Sequence, residues 1–456
     1  MFGSVISRWT MPHFWAAIAF FVAAQVAMVI GVAYPNESFF APATLAMVHL
    51  LTIGWLTVLM LGALHQFLPV ITAQTMVAGT SALVSLLAIL GGLGGMEAGF
   101  LALGGFLPQQ AIAGLPIGGS LVFGGLILAT VVLGKILWRT RPLPFSARFV
   151  AVGLIFLLVT AVMGILMGCV FAHPELVPWS EALTKGFRLH LMAGLIGWFT
   201  LTAMGVSYRL LSMFTLAPEE RGAVGTVVFV LSAGGLAVAW LLGLADAVGI
   251  NVPGETVAIA AVFVGIALYL FDMVRLYRAR RRHKLELNTA MAAPALVAFA
   301  LCLLGGTYMV LADGDDRFIG PLAYLFIFGW LSGLGLSQLY KIIPFLTWLE
   351  RYGSLLGKQA VPRVQDLIDE RRDRPWFTLY FAAVALGALF GALDWTELWR
   401  IAIAGHLVAT LMILRALLLA RRPLSPAGVK PHADVPLGQR NFGLSGLPYP
   451  HGGTIP

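Results

Sequence analysis

The amino-acid sequence predicts an all-α polytopic membrane protein, with twelve transmembrane helices in a pseudo-threefold arrangement of three four-helix bundles. Three observations carry that prediction. The chain has 456 residues, 59% hydrophobic and only 11% charged, whereas soluble domains carry about 25% charged residues. Its apolar runs number twelve, each approaching or exceeding the ~20 residues that cross a bilayer core. One motif recurs: GWLTVLMLGALHQFLPV (Gly54–Val70), GWFTLTAMGVSYRLLSM (Gly197–Met213) and GWLSGLGLSQLYKIIPF (Gly329–Phe345). The copies start 143 and 132 residues apart, a period long enough for a whole bundle of helices rather than a solenoid repeat.

Taken in order, the first span is 14–34. It lacks a small-residue cleavage site and reads as a retained helix. Spans follow at 42–66, which holds the first motif copy, and 78–103, rich in glycine (LGGLGGMEAGF). Then come 113–136, 147–171, 187–211 with the second copy, 223–246, 253–274, 290–311, 318–341 with the third copy, 376–392 and 398–420. Spans 1–4, 5–8 and 9–12 are expected to superpose, with Trp55, Trp198 and Trp330 in equivalent places. The connection 347–375 is polar and amphipathic and predicts a short surface helix. Residues 1–420 form a single transmembrane domain. Residues 421–456 read as a disordered cytoplasmic tail, because a Pro/Gly-rich segment without an apolar period has no core to join.

The charges set the expected orientation. Even-numbered connections carry Arg139, Arg141, Arg148, Arg209, Arg221, the run Arg275–Lys284, the basic segment 350–374, and Arg421 and Arg422. Odd-numbered ones carry Glu37, Glu97, Glu175, Glu181, Asp246, Glu255, Asp313, Asp315, Asp316, Asp394 and Glu397. Positive residues mark the cytoplasmic side, so both termini are expected inside a bacterial inner membrane. The net charge of +8 is then a topology signal. The basic run is an orientation anchor in contact with membrane lipid, not a nucleic-acid site. The two cysteines, Cys169 and Cys302, form no CxxC and no covalent haem motif.

Ionisable groups inside a membrane are functional candidates by default. No Asp or Glu reads as mid-span, with Asp246 and Asp272 near span ends, so histidine remains: His49, His65, His190 and His406. His13, His173, His283, His432 and His451 fall at ends, loops or the tail. With spans 2, 6 and 12 all entering from outside, His49 and His406 lie about 10 Å deep at 1.5 Å per residue, and His190 sits near its outer end. His65 is about 24 Å further in than His49. Its motif position is filled by Tyr208 and Tyr340 in the other copies, which favours an interfacial amphipathic residue. Three imidazoles in the outer third of the membrane, each beside small residues (Thr52 and Gly54; Gly194 and Gly197; Gly405), suit haem, whose iron takes one or two imidazoles in an apolar slot. Arg188, Lys185, Arg317, Arg400 and Trp179 are candidate partners for the propionates, Arg188 and Arg400 foremost.

HLLTIGWLTVLMLGALHQFLPV (His49–Val70), HLMAGLIGWFTLTAMGVSYRLL (His190–Leu211), twelve spans and the three-by-four repeat resemble subunit I of the haem–copper oxidases. Small bacterial subunit-I-like proteins are most similar, and the NnrS family of haem-containing membrane proteins linked to nitric oxide stress is a neighbouring comparison. The resemblance covers about residues 10–420. It implies that His49 binds a low-spin haem and that His190 stands near a copper position. The His-His pair implied on span 7 and the two His implied on span 10 are missing, so oxygen reduction and proton pumping are not expected. In that arrangement spans 2 and 12 line one pore, which makes His49 and His406 ligands of one haem, and His190 a separate site for a second haem or copper. The expected function is a b-type haem protein for electron transfer or handling of nitric oxide or another diatomic gas, served by a cytochrome or quinol partner. Two alternatives stay open. One is a small-molecule or copper transporter, since sixteen methionines offer soft ligands. The other is a cofactor-free scaffold or assembly subunit.

Overall fold

The computed structural model describes residues 2–74, 79–173, 175, 180–218, 222–312, 314–356, 358 and 360–423, apart from the side chains of 2–8 and 180–184. Trp179, Arg221, Asp313, His432, His451, the side chain of Glu181 and the tail from 424 lie outside the described residues. Among the described residues twelve apolar helices are long enough to cross a membrane: α1 Trp9–Val29, α2 Pro42–Thr72, α3 Ser81–Leu103, α4 Gln109–Arg139, α5 Phe145–Ala172 and α6 Lys185–Thr215. The rest are α7 Gly222–Ala247, α8 Glu255–Arg278, α9 Leu287–Leu311, α10 Asp316–Arg351, α11 Glu370–Ala392 and α12 Thr396–Ala420. The protein is a multi-pass membrane protein. α1 packs against α2, α10 and α12, which closes the ring of helices.

The motif helices are longer than predicted, at 31, 31 and 36 residues for α2, α6 and α10. Each holds a π-helical stretch, at Leu50–Thr57, Met192–Thr200 and Leu325–Ser332. All three end on the hydroxyl residue of Gly-Trp-x-Thr/Ser. Such turns are rare and concentrate at functional sites. No sequence period announced them, because the apolar pattern here is continuous on every face.

The π stretches present the motif tryptophans to their neighbours in a cyclic order. Trp55 Nε1 donates to Ser332 Oγ of the third copy at 2.8 Å, and Trp198 Nε1 donates to Thr57 Oγ1 of the first at 3.1 Å. The third link is not made. Thr200 Oγ1 donates to the Leu195 carbonyl of its own helix instead, and Trp330 stacks on Phe299 with ring centroids 4.3 Å apart. The motif glycines repeat the symmetry. A Cβ on Gly54 would strike Phe20 of α1, one on Gly197 would strike Phe156 of α5, and one on Gly329 would strike Ala298 of α9. Each copy therefore seats on the first helix of its own bundle. α2, α6 and α10 meet around a cavity of about 90 Å³ lined by residues such as Leu59, Ala203 and Leu334. Trp55, Trp198 and Trp330 are all buried, each at the third-last residue of its π stretch.

The glycine-rich third span packs backbone to backbone on α4. Gly92 and Gly95 face Gly118, and Gly125 lies against Ser85, whose carbonyl would be 2.8 Å from an added Cβ. Small residues allow such approach where helices associate in lipid.

Three expectations need correction. Glu97 lies within α3, not in a connection, and its Oε1 is buried without a hydrogen-bond partner. Asp272, within α8, is also buried, with Arg275 3.9 Å away. Carboxylates are thus present inside the helices. Among its described residues the 347–375 segment forms no separate surface helix. α10 runs on to Arg351, short 3₁₀ turns follow at Gly353–Leu355 and Val364–Leu367, and Asp369 caps α11 by accepting from the Arg371 and Arg372 amides.

Candidate functional site

A cavity of about 520 Å³ lies between the first and second bundles, walled by α2, α3, α4, α5 and α6. Its lining is apolar apart from a few hydroxyls and two imidazoles, those of His49 and His190. Gly119, Gly164, Gly168 and Gly194 keep side chains out of it. Phe40 and Phe187, with ring centroids 5.6 Å apart, stand at the end nearest the α1–α2 connection.

His49 is the last residue before the π stretch of α2. Its Nδ1 donates to the Leu45 carbonyl at 2.7 Å, and its ring stacks on Phe100 at 4.9 Å. His190 stands two residues before the π stretch of α6, and its Nδ1 donates across to the Thr160 carbonyl of α5 at 3.0 Å. A carbonyl only accepts, so in both rings Nδ1 carries the proton and Nε2 keeps a lone pair. A hydrogen bond on the far nitrogen is how metal-binding imidazoles are oriented. The third motif helix has Tyr324 in the place of His49, immediately before its π stretch, so the chemistry differs between the first and third bundles at that position.

His406 is not brought to this cavity. It is fully buried on α12 among Tyr380, Phe328 and Phe21, with centroids at 4.5, 5.0 and 6.1 Å, and neither of its nitrogens has a hydrogen-bond partner. The expected face-to-face pair of His49 and His406 is therefore not the arrangement found. The reason is rotational. His49 and Trp55 are six residues apart on α2 and point to different sides. The Trp55 side stacks on Phe21 at 4.4 Å and so faces His406, while His49 faces α3. His190, expected to serve a separate site, shares the cavity of His49.

The basic residues expected at the propionates are engaged elsewhere. Arg188 pairs with Glu255 at 3.0 Å and Lys185 with Asp246 at 3.2 Å. Arg400 donates to the Val29 carbonyl at 3.3 Å, and Arg317 pairs with Asp315 at 3.2 Å. None of the four lines the cavity. Among the described residues no three His, Cys, Asp or Glu side chains gather in a group that could hold a metal ion.

Two further histidines, which the sequence reading kept apart, are brought together. His13 and His65, read as a span-end and an interfacial residue, are each 1% exposed, and their rings pair with centroids 5.6 Å apart. The signal that misled is the Tyr at the motif position of His65 in the other copies. No protein-family model and no curated protein matches the chain.

Proposed function

We propose that this protein is a b-type haem protein of the bacterial inner membrane, built for electron transfer, with the haem held between His49 and His190. The observation that carries the reading is the single apolar cavity that both imidazoles line, each ring fixed through Nδ1 with its Nε2 left as a ligand. The fit is chemical as well as spatial. Cofactor sites measure about 300–1,000 Å³ and are mostly apolar with a few convergent polar groups, and this cavity of about 520 Å³ meets that description. When bound, haem supplies one-electron exchange, and two imidazole ligands leave no position for a gas.

The chain's own contribution is binding and orientation. Leu45 and Thr160 hold the ligand tautomers through their carbonyls. Phe100 buttresses the His49 ring. The glycines leave room for a flat macrocycle, and the apolar walls exclude water. Both termini lie on the cytoplasmic side in this reading, and a cytochrome or quinol exchanges the electron. Handling of nitric oxide is the variant reading if only His49 ligates.

A visible spectrum of the purified protein, oxidised and dithionite-reduced, tests this. A Soret band and a sharp reduced α band are expected, and no shift on adding carbon monoxide. A carbon monoxide shift in the wild type would replace electron transfer with gas binding. The absence of a Soret band after expression with adequate haem supply would remove the proposal.

A further inference from the structure

His13 and His65 form a second pair of imidazoles, at the end of α2 opposite His49. His13 Nδ1 donates to the Trp9 carbonyl at 2.9 Å, and His65 Nδ1 donates to the Leu61 carbonyl at 2.6 Å. Both rings are thereby fixed in the tautomer that leaves Nε2 with a lone pair. Both Nε2 atoms are buried and neither has a hydrogen-bond partner. Buried polar atoms are normally satisfied, and an exception asks for an explanation such as an ion.

The second bundle supplies the control. There the same place holds Phe149 and Tyr208, with ring centroids 6.0 Å apart and planes at 42°, against 5.6 Å and 40° for His13 and His65. The backbones match too: a Cβ on Gly62 would lie 2.7 Å from His13 Cβ, and one on Gly205 2.6 Å from Phe149 Cβ. An aromatic pair with one polar atom, the buried Tyr208 hydroxyl, is therefore enough to pack this site, where the first bundle places two imidazoles with unused lone pairs.

We propose that His13 and His65 bind one cuprous ion between their Nε2 atoms. Two metal–nitrogen bonds of roughly 2 Å each set the nitrogens about 4 Å apart, a separation that rings with centroids at 5.6 Å can span. The charge of the ion decides its identity. The two ligands are neutral, and among the described residues no carboxylate or thiol is hydrogen-bonded to either ring. Burial cost rises with the square of the charge, so a divalent ion here would need an anionic ligand that the site lacks. Imidazole suits copper, and Cu(I), a closed-shell d10 ion of single charge, accepts two nitrogen ligands without a third. The site is independent of the haem cavity.

The test is a titration of the full-length protein in detergent with Cu(I) under anaerobic reducing conditions, against a chromophoric Cu(I) chelator. The double variant His13→Phe with His65→Tyr rebuilds the pair that the second bundle already packs, and the single variant His65→Tyr is the fallback if the double variant melts at a lower temperature. The wild type should withhold one more equivalent of copper from the chelator than either variant. X-ray absorption of the loaded wild type should show two nitrogen ligands and no sulfur. Equal copper retention by wild type and variants would overturn the proposal. So would displacement of the copper by equimolar zinc. The visible spectrum of the variants reports separately on the haem cavity and should match wild type.

Discussion

The cavity around His49 and His190 and the enclosure around His406 hold the same kind of residue, yet they differ in kind. In the first, each imidazole is tied through Nδ1 to a carbonyl and borders open space of about 520 Å³. In the second, the imidazole has no tie and three aromatic rings occupy the space around it. A buried histidine is thus assigned a role by two neighbours: the acceptor on its far nitrogen and whatever fills the volume in front of its near one.

The largest expected effect follows from that contrast. His49→Ala or His190→Ala should abolish haem binding or convert it to a high-spin, carbon monoxide-binding form, whereas His406→Phe should leave the spectrum unchanged. A loss of haem in His406→Phe equal to that in His49→Ala would erase the distinction. Next is a filling substitution. A Cβ on Gly164 would lie 3.3 Å from the His190 ring, so Gly164→Leu should lower haem content at least about tenfold, the equivalent of ~1.4 kcal/mol. Full occupancy in this variant would show that the cofactor lies elsewhere.

The comparison also explains what the sequence made legible. Twelve spans and the threefold repeat were readable because span length and the Gly-Trp motif are local properties. His49 and His190 could be singled out as candidates because depth follows from helix rise alone. Their pairing was not, since it depends on which way each ring faces around its helix, and the π stretches at Leu50–Thr57 and Met192–Thr200 change that rotation without a sequence signal. Glu97 was counted with the connections although it falls within the predicted span 78–103, and its neighbours are glycines. Here they mark contact with α4.

Smaller effects probe the ring of motif helices. Trp55→Phe loses the bond to Ser332 and leaves that buried hydroxyl without its donor, a cost of about 1–3 kcal/mol. Trp330→Phe loses only ring packing, because the Trp330 indole nitrogen has no hydrogen-bond partner. Thermal melting in detergent should rank Trp55→Phe as the more damaging, and the reverse order would refute the cyclic arrangement. The smallest effect lies outside the membrane. Burial opposes ionisation of Glu286, but bonds from Lys341 at 2.6 Å and from Arg282 outweigh it and hold the carboxyl below its usual range. A depressed carboxylate contributes stability above its unfolded value and loses it as pH falls through the lower folded one. The melting temperature of Glu286→Gln should therefore approach that of wild type in acid, and an equal gap at all pH values would contradict this.

The most direct measurement of the central claim is electron paramagnetic resonance of the oxidised wild type beside His190→Ala. Two imidazoles on one iron would give a low-spin ferric signal in the wild type and a high-spin signal in the variant, which keeps only one of them. An unaltered low-spin signal in His190→Ala, or a wild type with no haem signal at all, would contradict a haem held between His49 and His190.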